Sequence, residues 1–362
     1  MFRTLDDAKM YLEDQGLDDL AGELLPLLRP CVRLMPGSVD RTGGTRTGGQ
    51  PDLPPGMDWP MRPRPADADA FIAKWPTHGD WIAKHVLQDQ SFEFVAQIDL
   101  AEAAGQPIAA ALPADGRLLF FYDGSIGPWL DGAKACRVLW DRSPLETLNP
   151  CAIPIDLAGL LGAERAEWDR QQADPMSMAK DFSPPVLDVI RDNLPPGTTL
   201  EEHFADIAAS MTFSSRYVHP SIAMQLEPAL QWPDSSSPEA TADPVLSAIY
   251  AGDGLSAMTL SRPDHIEFCH LLIGVPIPEQ DDPRYSAVVS NDPALAARRD
   301  AEWAEIWPVV EKQGADWVLL LQIEQSALMQ QRYVEGCVYF LIRKDALMAR
   351  DFGKVQAIYQ QT

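Results

Sequence analysis

FEFVAQID, residues 92–99, alternates along its length. Phe92, Phe94, Ala96 and Ile98, continued by Leu100, fall on one face of an extended chain, and Glu93, Val95, Gln97 and Asp99 on the other. Period-two alternation marks a strand with two unlike faces. The turn formers of LPADG (112–116) follow, and then an apolar run of strand length, Arg117–Tyr122. The same device returns near the C-terminus as Leu320-Leu321-Gln322-Ile323-Glu324, then Gly336, then VYFLI (338–342). Each copy is an apolar strand ending in Gln-Ile-acid, a connection, a glycine and a second apolar strand. Strands joined in this way pair as antiparallel hairpins. The repetition, about 92–123 and 317–343, therefore predicts an α+β fold of mostly antiparallel sheet built from two pseudo-repeated strand-pair units with flanking helices.

Working outward, Leu5, Ala8, Leu12, Leu17, Leu20, Leu24 and Leu28 recur at helical spacing, with Asp6 and Asp7 suited to a first turn. Pro26 and Pro30 interrupt the pattern, so residues 1–35 read as a helical extension packed on the body, and 36–362 as one domain. The Gly- and Pro-rich run 36–65 cannot form a regular element and reads as an ordered loop pinned by Trp59. Residues 155–212 read as mainly helical, 230–245 as an exposed loop, and His265–Val275 as a strand. Residues 292–310 read as a helix capped at Asp292-Pro293, and a last helix starts near Lys344.

The chain has 362 residues and a net charge of −24, and 46% of it is hydrophobic. That apolar share suits a folded core. The charge argues against nucleic acid and anionic lipid as partners and favours a basic protein. Five cysteines, Cys31, Cys136, Cys151, Cys269 and Cys337, are widely spaced without a Cys-x-x-Cys pair, so no zinc ribbon is expected and the thiols read as reduced. The start, MFRTLDDAKMYL, lacks the apolar core of a signal peptide, and no apolar run reaches membrane-spanning length; the expectation is a cytoplasmic protein, monomeric or homodimeric.

In both repeats the Gln and the acid share a strand face, and two readings follow. Gln97 and Gln322 bond loop backbone at the strand ends, or Gln97, Asp99, Gln322 and Glu324, with His270, line a cleft shared by the half-repeats. The glycine spacing of GGTRTGGQ (43–50) resembles that of a phosphate loop, but Gln50 stands where lysine is needed and prolines block the following helix. Arg41 and Arg46 with the backbone amides of the turn, those of Gly48 and Gly49 among them, could form an anion nest for a carboxylate or phosphate, or the segment is a plain structural turn. The segment Asp264–His270 is the densest set of potential metal ligands, but its strand spacing suits no single ion, and neither a metal nor a cofactor is expected. Asp123-Gly124-Ser125-Ile126-Gly127 has glycine directly before the serine and reads as a turn, not a nucleophile elbow. No catalytic residue is assigned.

Six blocks carry a resemblance: GGQPDLPPGMDWP (48–60), FVAQIDLAE (94–102), LPADGRLLFFYD (112–123), HLLIGVPIPEQDDPR (270–284), WVLLLQIEQ (317–325) and GCVYFLIRKDALMARDFGKVQAIYQ (336–360). In this order they resemble the YwqG-like family of bacterial proteins. The resemblance implies an α+β fold and no catalytic residues. The chain departs from the family at Gln331–Glu335, where relatives tend to have Trp-Gly-Asp, and in a longer segment 61–90 containing Trp75, His78, Trp81 and His85. Some relatives lie beside secreted-toxin systems. The first expectation is thus a non-enzymatic binding or interaction protein, immunity-like in role; the alternative is a small-ligand protein or enzyme with a cleft between the half-repeats.

Overall fold

Ten strands form one sheet in the computed structural model, which describes residues 1–130, 132–252, 270–330 and 335–361. In chain order they are β1 (Arg29–Pro36), β2 (Arg46–Thr47), β3 (Glu93–Asp99), β4 (Arg117–Tyr122), β5 (Cys136–Asp141), β6 (Ile222–Gln231), β7 (Leu271–Gly274), β8 (Trp317–Glu324), β9 (Cys337–Arg343) and β10 (Gln356–Gln360). Across the sheet the order is β10-β9-β8-β7-β1-β6-β2-β3-β4-β5, and every ladder is antiparallel. The architecture is α+β, as the repeat implied.

The duplication is wider than the hairpins. Arg46 faces Gln97 across the β2–β3 ladder as Leu271 faces Gln322 across β7–β8. After β2 the chain turns through Gly48 and Gly49, at φ 62° and 73°; the corresponding positive-φ pair, Ile273 and Gly274 at 54° and 143°, forms the last two residues of β7. A one-turn helix follows the acid in each copy, Leu100–Ala103 and Gln325–Met329, and its first amide donates to a glycine carbonyl, Gly116 at 3.0 Å and Gly336 at 2.9 Å. Those two glycines open β4 and β9 at φ 81° and 99°. A Cβ there would stand 2.4 Å from the Asp141 carbonyl oxygen in one half and 2.6 Å from that of Gln360 in the other, so only glycine fits.

β1 and β6 are exchanged. β1 precedes the first half in the chain yet pairs with β7 of the second (Val32 opposite Leu272), while β6 pairs with β2 of the first (Ile222 opposite Thr47). The two exchanged strands pair with each other from Arg29–Gln231 to Pro36–Met224, and Met35 opposite Gln225 marks the local two-fold. The helical extension therefore does not run to residue 35: its last eight residues belong to the middle of the sheet. Pro30 and Pro36 hide this strand from a pattern reading, but Cys31, Val32 and Leu34 are buried and Arg33 pairs with Glu227 at 3.0 Å. Ahead of it, the helix Leu5–Asp14 starts with a Thr4–Asp7 capping box and buries Ala8 and Leu12 in a cluster with Trp232 and Leu246.

The two halves share one core. Val95, Ile98, Leu118 and Phe120 cluster with Leu321, Ile323, Val338 and Phe340, and the rings of Phe120 and Phe340 meet edge to face at 5.1 Å. Trp59 anchors the run 36–65 as expected, its indole N–H donating to the Phe92 carbonyl at 2.7 Å, but the run is not free of regular structure: its residues Arg46–Thr47 are β2, which joins β6 to β3 in the sheet. Helices Ile155–Ala173, Pro184–Asp192 and Leu200–Ser210 occupy the segment read as helical. Residues 230–245 are not an exposed loop. Gln231 and Trp232 are buried, and the short helices Pro238–Ala242 and Pro244–Ala251 are capped by Ser237 and Asp243, residue types that otherwise signal a loop. Of the strand expected at 265–275, Leu271–Gly274 is observed; the ligand-rich residues 264–269 lie outside the described residues, as do 331–334.

The alternation at 92–99 breaks at a bulge between Phe94 and Ala96. Phe92 and Phe94 pack outward with Leu53, Leu119 and Phe121, whereas Ala96, Ile98 and Leu100 lie in the shared inner core. Each bulge shifts the phase of the pleat by one residue, so one sequence period cannot describe both ends of β3. β8 carries a bulge at the equivalent place, between Leu319 and Leu321.

Candidate functional site between the two halves

The two repeat glutamines are buried and bond loop backbone. Gln97 Oε1 accepts the Asp52 amide at 3.0 Å, and its Nε2 donates to the Gly44 carbonyl at 2.9 Å. Gln322 Oε1 accepts the Ile277 amide at 2.9 Å, and its Nε2 donates to the carbonyl of the same residue at 3.1 Å. Asp99 caps the helix that follows it and pairs with Arg41 at 2.7 Å. Glu324 accepts the Ser326 hydroxyl, and its amide donates to Nδ1 of His270 at 3.1 Å. His270 is fully enclosed, and burial pushes its imidazole down to about 4, so it is a neutral acceptor. The turn 43–50 is filled by the chain's own carboxylate. Asp52 accepts the Gly43 amide at 2.7 Å and pairs with Arg46 at 2.8 Å, while a Cβ at Gly48 would stand 2.1 Å from the Pro220 carbonyl oxygen. These eight residues thus form two related clusters at the strand ends, one in each half, and none borders the cleft that does lie between the halves.

That cleft, open to solvent, has a volume of about 700 Å3. The first half contributes Glu93, Val95, Tyr122, Gly124 and Ser125; the second contributes Gln325, Met329, Glu335 and Tyr359. Trp81 and Trp129 border it, as do Arg216 and His219 from the chain leading into β6. The bulge in β3 explains why Glu93 is here and Gln97 is not: one side chain lies on each side of the phase change. Glu93 is 1% exposed. Its Oε2 accepts the Gly124 amide at 2.5 Å, and its Oε1 lies 3.3 Å from the Ser125 hydroxyl. Gln90 Nε2 also donates to that hydroxyl, at 2.9 Å. Gln90 Oε1 takes the Nδ1–H of buried His85 at 3.0 Å, which leaves Nε2 to face the Tyr217 hydroxyl at 3.5 Å. Burial holds His85 below the ordinary imidazole range, so this chain of bonds is uncharged.

A second carboxyl, Asp123, is buried beside Glu93, and the pair cannot both ionise there. Asp123 sits against the Arg62 guanidinium and accepts the Ser125 and Ile126 amides at 3.1 and 3.0 Å. Burial lifts it, but Arg62 opposes the lift, so Asp123 keeps the charge. Glu93 is pushed well above the usual carboxylate range, first by burial and then by the charge on Asp123. His219 is neutral as well: burial pushes it down to about 4, and its Nδ1 has no partner among the described residues. Trp81 is fixed by its indole N–H, which donates to the Ser125 carbonyl at 2.7 Å, and the Arg216 guanidinium lies over its ring at 4.9 Å.

The sequence signal for this site was a charged residue inside an apolar strand, Glu93 between Phe92 and Phe94, since a lone carboxyl is rarely buried without a reason. The turn Asp123–Gly127 is indeed a turn, but one whose Gly124 and Ser125 border the cleft and whose amides hold the Glu93 and Asp123 carboxyls in place. The segment 61–90 supplies Arg62, His78, Trp81 and His85.

The family model for a domain of unknown function, DUF1963, matches residues 45–360, most of both halves. The chain belongs to the DUF1963 family. The YwqG-like resemblance is consistent with that membership. No curated protein matches this DUF1963 chain. The match begins just before β2, so β1, which the second half needs as a neighbour of β7, lies outside it. No helix among the described residues is long and apolar enough to cross a membrane, and no group of three or more His, Cys, Asp or Glu among them is placed to hold a metal ion.

Proposed function

We propose that this DUF1963 protein binds a small molecule in the cleft between its two halves. The cleft itself carries the reading. A concave space of about 700 Å3, bordered by a buried protonated carboxyl, an imidazole nitrogen unpartnered among the described residues and two indoles, has the size and the few convergent polar groups of a small-molecule site. The reading is binding and not catalysis: Ser125 is engaged by Gln90 and Glu93, and no imidazole bonds it directly among the described residues. The test is tryptophan fluorescence and thermal shift of the full chain against neutral, anionic and cationic metabolites, repeated on Gly124→Leu. A Cβ at Gly124 meets only the Glu93 carboxyl, at 3.6 Å, so the variant fills the cleft without a backbone clash. Saturable binding lost in Gly124→Leu is expected; a ligand bound equally by both proteins sits elsewhere and removes the reading.

A basic protein partner, immunity-like or otherwise, is the second reading. It is favoured by the −24 charge and by the helix Pro184–Asp192, where Val186 and Val189 are 43% and 62% exposed beside Asp188 and Asp192. A basic toxin neutralised by the wild type but not by Val186→Asp with Val189→Asp is the expected result; neutralisation by both counts against this face.

A further inference from the structure

The cleft is bordered by a strand edge, and that edge selects a class of ligand; the inference rests on the cleft reading above. β10 ends the sheet, with β9 on one side only. The backbone of its free side is bonded to the first half at two points. The Val355 carbonyl, just before the strand, accepts the Cys136 thiol at 3.6 Å. Ala357 forms an antiparallel bridge with Gly132: the Gly132 amide donates to the Ala357 carbonyl at 2.8 Å, and the Ala357 amide to the Gly132 carbonyl at 3.2 Å. Both backbone groups of Ala357 therefore point away from β9. Direction alternates along an antiparallel ladder, so those of Tyr359, two residues on, point the same way. No irregularity in the β9–β10 register, from Cys337–Gln360 to Leu341–Gln356, changes that phase. The other side of β9 agrees. The Gly336 carbonyl takes the Gln325 amide beside β8, which sets the bonds of Val338, the residue opposite Tyr359, toward β8 as well.

The segment that covers Ala357 does not continue to Tyr359. The register of the bridge would set Leu130 there, but Leu130 ends a helical turn, and its amide is spent on the Ile126 carbonyl at 3.0 Å. The Tyr359 N–H and C=O thus have no partner among the described residues, and Tyr359 and Gln361 border the cleft at this point. A donor and an acceptor side by side on a strand edge are the unit that an extended chain pairs with, one bond in each direction. Such pairing is made by backbone and is indifferent to the charges on the rim, Arg216 and Glu335 among them. Selectivity would come from side chains of the bound segment lying against Trp81, Trp129 and Met329.

We propose that the cleft binds a short peptide in extended form, which adds to the sheet edge at Tyr359 where the chain's own Gly132 leaves off. The experiment is fluorescence anisotropy of the full chain with labelled, acetylated and amidated hexapeptide pools, each holding Leu, Phe, Lys or Asp at one fixed position. The neutral, anionic and cationic metabolites of the cleft test run beside them, and Gly124→Leu is the blocked control. The best-bound peptide is then N-methylated at each position in turn. Tyr359→Pro removes the edge N–H at a place in β10 where a proline breaks no ladder bond, and Tyr359→Val loses the same ring but keeps the N–H. The expected result is saturable peptide binding that is lost in Gly124→Leu. It should be about tenfold weaker in Tyr359→Pro than in Tyr359→Val, and about tenfold weaker on N-methylation at one position but at neither of its neighbours. If Tyr359→Pro does not fold, the N-methyl scan decides alone. Cleft-dependent peptide binding that ignores N-methylation overturns strand addition. A metabolite bound and lost in Gly124→Leu, with no peptide bound, overturns the peptide assignment and leaves the cleft reading standing. Absence of cleft-dependent binding in every arm overturns both.

Discussion

The two halves solve the same local problem with different chemistry, and exchanging the solutions tests the duplication. Arg46 and Asp52 form a buried ion pair at 2.8 Å, with side chains 6% and 1% exposed. Leu271 and Ile277 hold the corresponding places beside Gln322. Although burial works the other way, Arg46, the Gly43 amide and Gln97 together hold the Asp52 carboxyl below the usual carboxylate range. Arg46→Leu leaves a carboxylate enclosed with two neutral donors and is expected to cost about 3–5 kcal/mol; Asp52→Ile leaves the guanidinium with the Gln50 carbonyl and, at 3.4 Å, the half-exposed Asp40 carboxylate, and is expected to cost less than that. The double variant carries no buried charge and reproduces the second half's pair. What remains is a Gly43 amide and a Gln50 carbonyl that have each lost a partner, the amide worth about 1–3 kcal/mol. The four proteins are unfolded in urea with tryptophan fluorescence as the probe, giving a double-mutant cycle. The double variant should be more stable than Arg46→Leu, so that the two losses couple favourably. It should also lose the part of the stability that the wild type sheds as pH falls through the lowered carboxyl range, since a depressed carboxyl stabilises only while ionised. Additive losses would refute the claim that the two sites are equivalent, because the first half would then need its charges for a reason the second half lacks.

Three further outcomes follow from the geometry. Glu93 is protonated in the folded chain and ionised when unfolded, so stability falls as pH rises from about 4.5 through its raised value; Glu93→Gln should melt higher than the wild type at pH 8 and show no such gain below pH 4, and an equal difference at both would remove the buried-proton argument. His219 and His270, held down to about 4, take up protons only on unfolding, so stability is lost between about pH 6.5 and 4 by up to ~3 kcal/mol each; His270→Gln should flatten that part of the pH–stability curve. Gly116→Ala, which places a Cβ 2.4 Å from a backbone oxygen, should cost several times more in urea unfolding than Gly56→Ala, at φ 87° with nothing within 4 Å, for which about 1 kcal/mol is expected.

The strand pairs and their duplication were legible because Gln-Ile-acid and the glycine before the second strand are local signals, each tied to one backbone bond in the folded chain. The exchanged strand β1 was not, since Pro30 and Pro36 bracket it and its partners lie about two hundred residues away. The candidate site escaped for a smaller reason. A single extra residue in β3 shifts the side-chain phase, so Glu93 and Gln97, two alternations apart in the sequence, end on opposite faces. Alternation shows that faces exist, but a bulge is set by the neighbouring strand and is invisible in one strand's own residues. The turn at 123–127 was identified, yet its importance comes from Arg62, Gln90 and Glu93, which only the fold brings beside it.

The exchange of β1 and β6 sets the order of events during synthesis. Everything from Phe2, bridged to Leu230, to Pro36, paired with Met224, docks on chain made more than 180 residues later. At roughly 5–20 residues per second the ribosome leaves this segment without its ladder for about ten seconds or longer. A nascent strand with open edges recruits other nascent strands. Pro30, Arg33 and Pro36, the residues that disguise the strand in the sequence, are also the residue types that discourage such pairing. Neither half can finish folding on its own, and a chain stalled before residue 222 retains an incomplete sheet with β2 lacking a neighbour. Translation therefore commits the molecule to folding after most of it has been made.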